Sequence, residues 1–330
     1  MKPSLKQEIE GFLSQIQQRR KRMRYNVLVS FGAQYDWNGN TAPRSNTRQV
    51  SDLRFNIGEG DTRHSERSYN GTLQVGFDYD LGLQRRHSLH SSITAYRSEH
   101  THEDQLELKA LTWNVGPTLS YAPVTLDPQF TVTKVRLAHK RYLTVYRLEN
   151  GVSWQVTKKT ALKMLGGWEY QHFNSLPVSQ TAAERQGRQL DIKAGATHLI
   201  HPTIRIGAHV RYYDKNAQRN FNSYHRYEAA AEATVLLTGG RVLIAGYTHQ
   251  RDSYKEADPF VGSTSRSEWN GRARLLFGFP LSNLFDDLPD LLDGLAITSS
   301  VTRFHSVSNL PDYTYRNTTI TAAVTRRWSF

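Results

Sequence analysis

From residue 25 to the end, apolar and polar residues alternate with a period of two, and no run approaches the ~20 apolar residues that a membrane-spanning helix requires. Thr72 to Leu81 shows the pattern cleanly. Leu73, Val75, Phe77, Tyr79 and Leu81 share one face, and Thr72, Gln74, Gly76, Asp78 and Asp80 share the other. The division recurs in Leu111, Trp113, Val115, Leu119 and Tyr121, and again in Ile204, Ile206, Ala208, Val210 and Tyr212. A soluble sandwich also alternates, but it gathers large aliphatics on its buried face. Here small and aromatic residues share the apolar face, as they do on a lipid-facing wall.

Spacing then predicts the strand count. Strands are expected at 25–37, 69–82, 85–98, 108–121, 125–138, 142–157, 160–173, 188–200, 203–214, 223–238, 241–252, 267–280, 294–306 and 315–330. Connections after even-numbered strands are short, around Gly82, Pro123, Lys158, Pro202 and Gly239. Those after odd strands include the long polar pieces 38–68, 174–187 and 253–266. That alternation of turns and loops is the mark of a transmembrane up-and-down barrel. The expectation is an all-β antiparallel barrel of about 14 strands in a bacterial outer membrane. The exception in parity is 281–293, read as a short amphipathic helical turn at the barrel rim. A slip in phase over 130–137 predicts a bulge.

Residues 1–24 read differently. Leu5, Ile9, Leu13 and Ile16 recur at helical spacing, so an amphipathic helix precedes the barrel domain of residues 25–330. Its apolar face is expected to pack on a periplasmic helical repeat domain upstream, or to plug the barrel mouth. An export signal is expected upstream as well. Basic residues Arg19, Arg20, Lys21, Arg22 and Arg24 follow the helix, where they suit either lipid phosphates or the helix C-terminus.

The formal net charge of +12 is scattered over walls and loops without an interleaved aromatic motif, which argues against nucleic acid as a partner. Anionic lipopolysaccharide and other outer-membrane lipids suit it better, with loop residues Arg44, Arg48, Arg63, Arg67, Arg185 and Arg188 within reach of phosphates. No motif for a hydrolase, metalloprotease, nucleotide site or dinucleotide site occurs, so no enzymatic activity is expected. The pairs His87/His90, His100/His102 and His198/His201 are each too small for a metal site, and neither metal nor cofactor is expected.

Two motifs point further. The last strand places Ile320, Ala322, Val324, Trp328 and the final Phe330 on one face, and resembles the signal by which the barrel assembly machinery recognises its clients. The junction from the helix into the first strand ends in Asp36, Asn38, Asn40, Ala42 and Pro43. With the helix before it, this segment resembles the junction in the surface lipoprotein assembly modifier (Slam) family, the outer-membrane component of the type XI secretion system. That family joins a periplasmic tetratricopeptide-repeat domain to a fourteen-stranded barrel. The resemblance implies a translocon whose substrate is a surface lipoprotein or a secreted haem- or metal-capturing protein. Asn, Gly and Pro are also ordinary turn formers, so the same segment fits a plain loop start.

Strand phase places Glu149, Lys163, Glu169, Arg205, Arg211, Glu228, Glu232, Arg272 and Arg274 inside, as candidates for lining or gating the lumen. The same charges suit cross-bracing of the wall. A seam between 25–38 and 315–330 is a candidate lateral opening. A general or solute-specific porin and an exopolysaccharide export barrel are the alternative functions.

Overall fold

The computed structural model describes residues 22–45, 47–56, 62–82, 87–177, 179–285, 289, 292 and 294–330. The alternating segments form strands that are 13 to 16 residues long in the wall. In chain order they are β1 (Met23–Asp36), β2 (Thr47–Val50), β3 (Leu53–Asn56), β4 (Glu66–Asp80), β5 (Ser88–His100), β6 (Leu108–Tyr121), β7 (Val124–Leu137) and β8 (Lys140–Gln155). There follow β9 (Thr160–Phe173), β10 (Gly187–His201), β11 (Ile204–Ala217), β12 (Tyr224–Leu236), β13 (Val242–Tyr254), β14 (Ser267–Pro280), β15 (Leu295–Ser308) and β16 (Tyr315–Ser329).

Fourteen of these close a barrel in which each strand is antiparallel to both neighbours, while β2 and β3 form a separate hairpin. Closure satisfies every wall strand from two sides, which a sheet must achieve where no water can reach its edge. β1 pairs with β4 along its whole length and with β16 from Asn26↔Ser329 to Asp36↔Thr319. The expected bulge is present as a register shift between Val135 and Arg136 on β7, and a second lies between Leu199 and His201 on β10.

Several boundaries move. Met23 and Arg24 already belong to β1 rather than to the preceding helix, and the rest of that predicted helix, up to residue 21, lies outside the described residues. In the 281–293 connection a single 3-10 turn covers Leu281–Asn283, and most of the remaining connection lies outside the described residues. The first outer loop, expected to be irregular, contains the β2–β3 hairpin, turned at Ser51 (φ 49°) and Asp52 (φ 65°). The longer connections gather at one end of the barrel, taken as the outer end, and the chain termini of the barrel at the other, periplasmic end.

The molecule is apolar outside and polar inside. Ile93, Leu111, Leu148, Met164, Ile192, Val210, Leu275 and Val301 all stand exposed at mid-wall. Exposed aromatic residues bracket this band: Tyr69, Trp168, Tyr227 and Trp269 toward the outer end, and Tyr25, Tyr121, Trp154 and Phe277 toward the periplasmic end. Phe330 is also exposed, and its backbone closes the seam through reciprocal bonds with Tyr25 at 2.9 and 3.2 Å. Among the described residues the only buried apolar side chains, Ala42, Leu176, Ala182 and Leu310, lie in outer loops. A soluble sandwich would bury the opposite set.

Candidate functional site: the polar interior and its outer loops

Inward positions fall into two groups by depth. Asp36, Glu66, Ser68, Ser98, Gln189, Asp191, Lys215, Asp252, Asn270 and Ser306 are buried, and all lie in the outer part of the wall. Nearer the periplasm the inward Lys163, Arg205, Glu232, Arg272 and Arg274 are exposed. The interior is therefore tight toward the outside and roomy toward the periplasm.

The tight part is built on charge. Arg147 on β8 reaches Glu149 at 2.6 Å, Glu169 of β9 at 3.2 Å and Asp191 of β10 at 2.9 Å, and Arg211 of β11 meets the same Asp191 at 2.7 Å. Asp191 thus ties two guanidiniums across four strands, with its side chain wholly buried. Room for this arrangement comes from Gly167, which sits opposite both Glu149 and Asp191. A Cβ there would lie 2.6 Å from both Arg147 Nη2 and Asp191 Oδ1. The network continues with His209–Glu228 at 3.3 Å and with Arg226, whose Nε and Nη2 donate to Asp252 at 2.6 and 2.8 Å. Arg211 and Arg226 also stack on Tyr213 at 4.2 and 5.6 Å.

Of the residues chosen from sequence, Glu149, Glu169, Arg211 and Glu228 join this network. Lys163, Arg205, Glu232, Arg272 and Arg274 face the lumen in the expected phase, yet make no ion pair among the described residues. Arg272 lies 5.4 Å from the ring of Phe304. The residues that the sequence reading missed, Arg147, Asp191, Arg226 and Asp252, also occupy the polar phase of their strands. Applying the same test to every charged residue would have found them.

The opposite wall, β15–β16–β1–β4–β5–β6, is lined at mid-depth by small uncharged residues: Ser300, Thr321, Thr325, Ser30, Thr72, Thr94 and Asn114. The seam lies within it. Ser30 Oγ and Thr325 Oγ1 share a 2.8 Å hydrogen bond across it. Asp36 accepts from Asn317 Nδ2 (2.9 Å), Thr319 Oγ1 and Gln34 Nε2 (2.6 Å). Pairing across the seam is continuous, so its expected weakness is not a gap in the ladder.

The junction motif fastens the outer end of that seam. Asn38, which is 1% exposed, donates from Nδ2 to the carbonyls of Ala42 and Arg316, and its Oδ1 accepts from the Ala42 N–H at 2.9 Å. Asn40 Nδ2 donates to the Thr62 carbonyl. From this anchor the first outer loop crosses the mouth. Arg44 N–H bonds to the Thr314 carbonyl, Gln49 N–H to the Asp312 carboxylate, and Ser51 and Asp52 N–H to the Phe260 and Val261 carbonyls. On its other side the loop meets 101–107: His64 Nε2 lies 2.7 Å from Glu103, and Glu66 accepts from the N–H groups of Thr101 and His102. The Gln105 amide and the His64 ring hold the Glu103 carboxyl below its ordinary range against partial burial. The first loop is thus a lid pinned to three other loops.

Closure, the exposed apolar band and the charged interior decide the setting. The chain is an outer-membrane β-barrel. No family model and no curated protein matches it. Among solved structures it is similar to Pseudomonas aeruginosa OpdQ, at 10% identity over 94% of this chain and 100% of that one, with a TM-score of 0.43. It is also similar to a loop L8 deletion mutant of OmpT, an outer membrane protein of Vibrio cholerae (8%, 93% and 100%, TM-score 0.48), and to a Pseudomonas aeruginosa FadL homologue (10%, 94% and 90%, TM-score 0.45).

Proposed function

We propose that this barrel is a gated outer-membrane translocon of the surface lipoprotein assembly modifier type, which passes a lipoprotein or a related secreted protein from periplasm to cell surface. The observation that supports it is the asymmetry of the interior: inward side chains are exposed toward the periplasm and buried toward the outside, where the ionic network braces one wall and the first loop bonds to three other loops. A passive pore needs a standing path to the outside, whereas an exporter has to remain shut until its substrate arrives. The junction motif supports the same reading, because Asp36 and Asn38 are the residues that join the lid to the closing strand.

Surface display tests this. The full-length protein is expressed with a lipoprotein encoded beside it, and protease access to that lipoprotein is measured on intact cells. Exposure that depends on the barrel is expected; equal exposure without the barrel overturns the reading. A Ser30→Cys, Thr325→Cys pair then separates the two routes, since oxidation locks the seam. Loss of export that reduction restores marks a lateral exit, and unchanged export marks the lumen.

One observation favours a second reading, a pore for anionic solutes: the exposed inward cations Lys163, Arg205, Arg272 and Arg274. Steady anion-selective conductance in a planar bilayer, with no effect on surface display, would establish it.

A further inference from the structure

One row of the outward face carries a charge pattern that the wall itself does not neutralise. Arg97 on β5 stands opposite Lys109 on β6, Lys109 opposite Arg136 on β7, and Arg136 opposite Arg141 on β8. Lys134 lies two residues below Arg136 on the same strand and face. Directly opposed side chains in a ladder lie ~4.5–5.5 Å apart, and like charges so placed repel. Here three successive strand pairs repeat the repulsion. Arg97 meets Glu99 on its own strand, but Lys109, Lys134, Arg136 and Arg141 form no ion pair among the described residues.

Position gives the row its meaning. It lies at the outer rim of the apolar band, one step above the row of Leu73, Leu111 and Lys134. The row forms the upper wall of an outward groove of about 1210 Å³ whose apolar lining includes Phe31, Leu73, Leu111 and Tyr146. On the β7–β8 side of the row the wall ends in a tight turn, with only Ala138 (φ 46°) and His139 (φ 63°), both left-handed, between the strands.

We propose that this face is a binding site for one phosphorylated lipid of the outer leaflet. Its phosphate groups sit between Lys109, Arg136 and Arg141, and its acyl chains fill the groove below. Cations above an apolar trough match a lipid with anionic head and hydrocarbon tails, and the bound phosphates relieve the repulsion along the row. The site lies on the outside of the wall and does not depend on what passes through the interior.

The test uses the full chain in neutral detergent, titrated with diphosphoryl lipid A or with phosphatidylethanolamine and read by native mass spectrometry and thermal unfolding. Diphosphoryl lipid A is expected to be retained at least about tenfold better than phosphatidylethanolamine and to raise Tm. The K109Q/R136Q/R141Q variant is expected to lose both effects, and to be at least as stable as the parent without lipid, since its row no longer repels. R303Q/R316Q, which removes two outward arginines from β15 and β16, is expected to keep them. Equal retention by the triple variant overturns the site, and so does equal binding of the two lipids. Inorganic phosphate reproducing the full rise in Tm would show an anion site rather than a lipid site, and would overturn the proposal as well.

Discussion

Asp191→Asn removes one charge and almost no volume, and so isolates what the ionic network contributes. The carboxylate accepts from Arg211 Nε and Nη2 at 3.0 and 2.7 Å, and from Arg147 Nη2 at 3.2 Å, with its other oxygen 2.9 Å from the same Nη2. An asparagine keeps one acceptor oxygen and turns an NH2 group toward a guanidinium. Removing one partner of a buried ion pair costs about 3–5 kcal/mol, because the other charge is left uncompensated. Arg147 retains Glu149 and Glu169, and Arg211 retains its stack on Tyr213 and its place opposite Glu228, so the lower limit, about 3 kcal/mol, is expected. Urea unfolding of the barrel in lipid vesicles, followed by tryptophan fluorescence, measures it. Glu228→Gln, which loses a single 3.3 Å contact to His209, serves as the control and should cost about 1 kcal/mol or less. A loss below ~1 kcal/mol for Asp191→Asn would refute the assignment of Asp191 as the tie between the two guanidiniums.

Gly167→Ala should displace Arg147 from Asp191 and destabilise the barrel by about 2 kcal/mol in the same titration, whereas Gly166→Ala, with open space around it, should be neutral within ~0.5 kcal/mol. Asn38→Ala removes three side-chain hydrogen bonds from a buried site, and should cost about 2 kcal/mol and speed tryptic cleavage after Arg44 and Arg48 without altering the heat-modifiable gel mobility of the folded barrel. The Glu103 carboxyl, against which the lid's His64 rests, titrates below its usual value of 4.5 in the folded protein, so its contribution is complete above that value and is lost as pH falls through the lowered one. Spin labels on Ser65 and Asp104 should therefore hold a fixed separation at neutral pH and broaden only in acid, and Glu103→Gln should broaden it at neutral pH.

The wall was legible because a membrane barrel writes its structure in a two-residue period. Lipid on one side and water on the other force each strand to alternate, so 108–121, 160–173 and 267–280 could be placed to the residue. The lid hairpin was not legible. Its turn, Ser51-Asp52, lacks the glycine that usually marks two left-handed residues, and its strands are only four residues long. Inward orientation of the lumen residues followed from phase alone. Which charges pair did not, because partners such as Arg147 and Asp191 are 44 positions apart in the chain and meet only through the stagger of β8, β9 and β10. The junction motif was visible as a spacing of Asp and Asn, but its contact with Arg316, Asn317 and Thr319 depends on barrel closure, which no local pattern encodes.

The two walls of the interior differ in what it would take to move them. On the β8–β13 side, displacement would separate buried ion pairs, each expensive to break singly. On the seam side, the mid-depth side-chain contacts are neutral hydrogen bonds such as Ser30–Thr325, worth about 1 kcal/mol each, and the Asp36 carboxylate adds its bonds to Asn317 and Thr319 only at the outer end. The backbone ladder is the larger obstacle. Eleven residue pairs join β1 to β16, and within hydrocarbon each exposed backbone group costs several kcal/mol because no water replaces its partner. A seam opened in lipid therefore cannot stay open empty. It needs an incoming strand to take over the freed N–H and C=O groups, which makes the client itself the key. If the exit is lateral, clients should present an exposed β-edge. If the exit is the lumen, the lid and the Asp191 tie must yield instead, and client secondary structure should not matter.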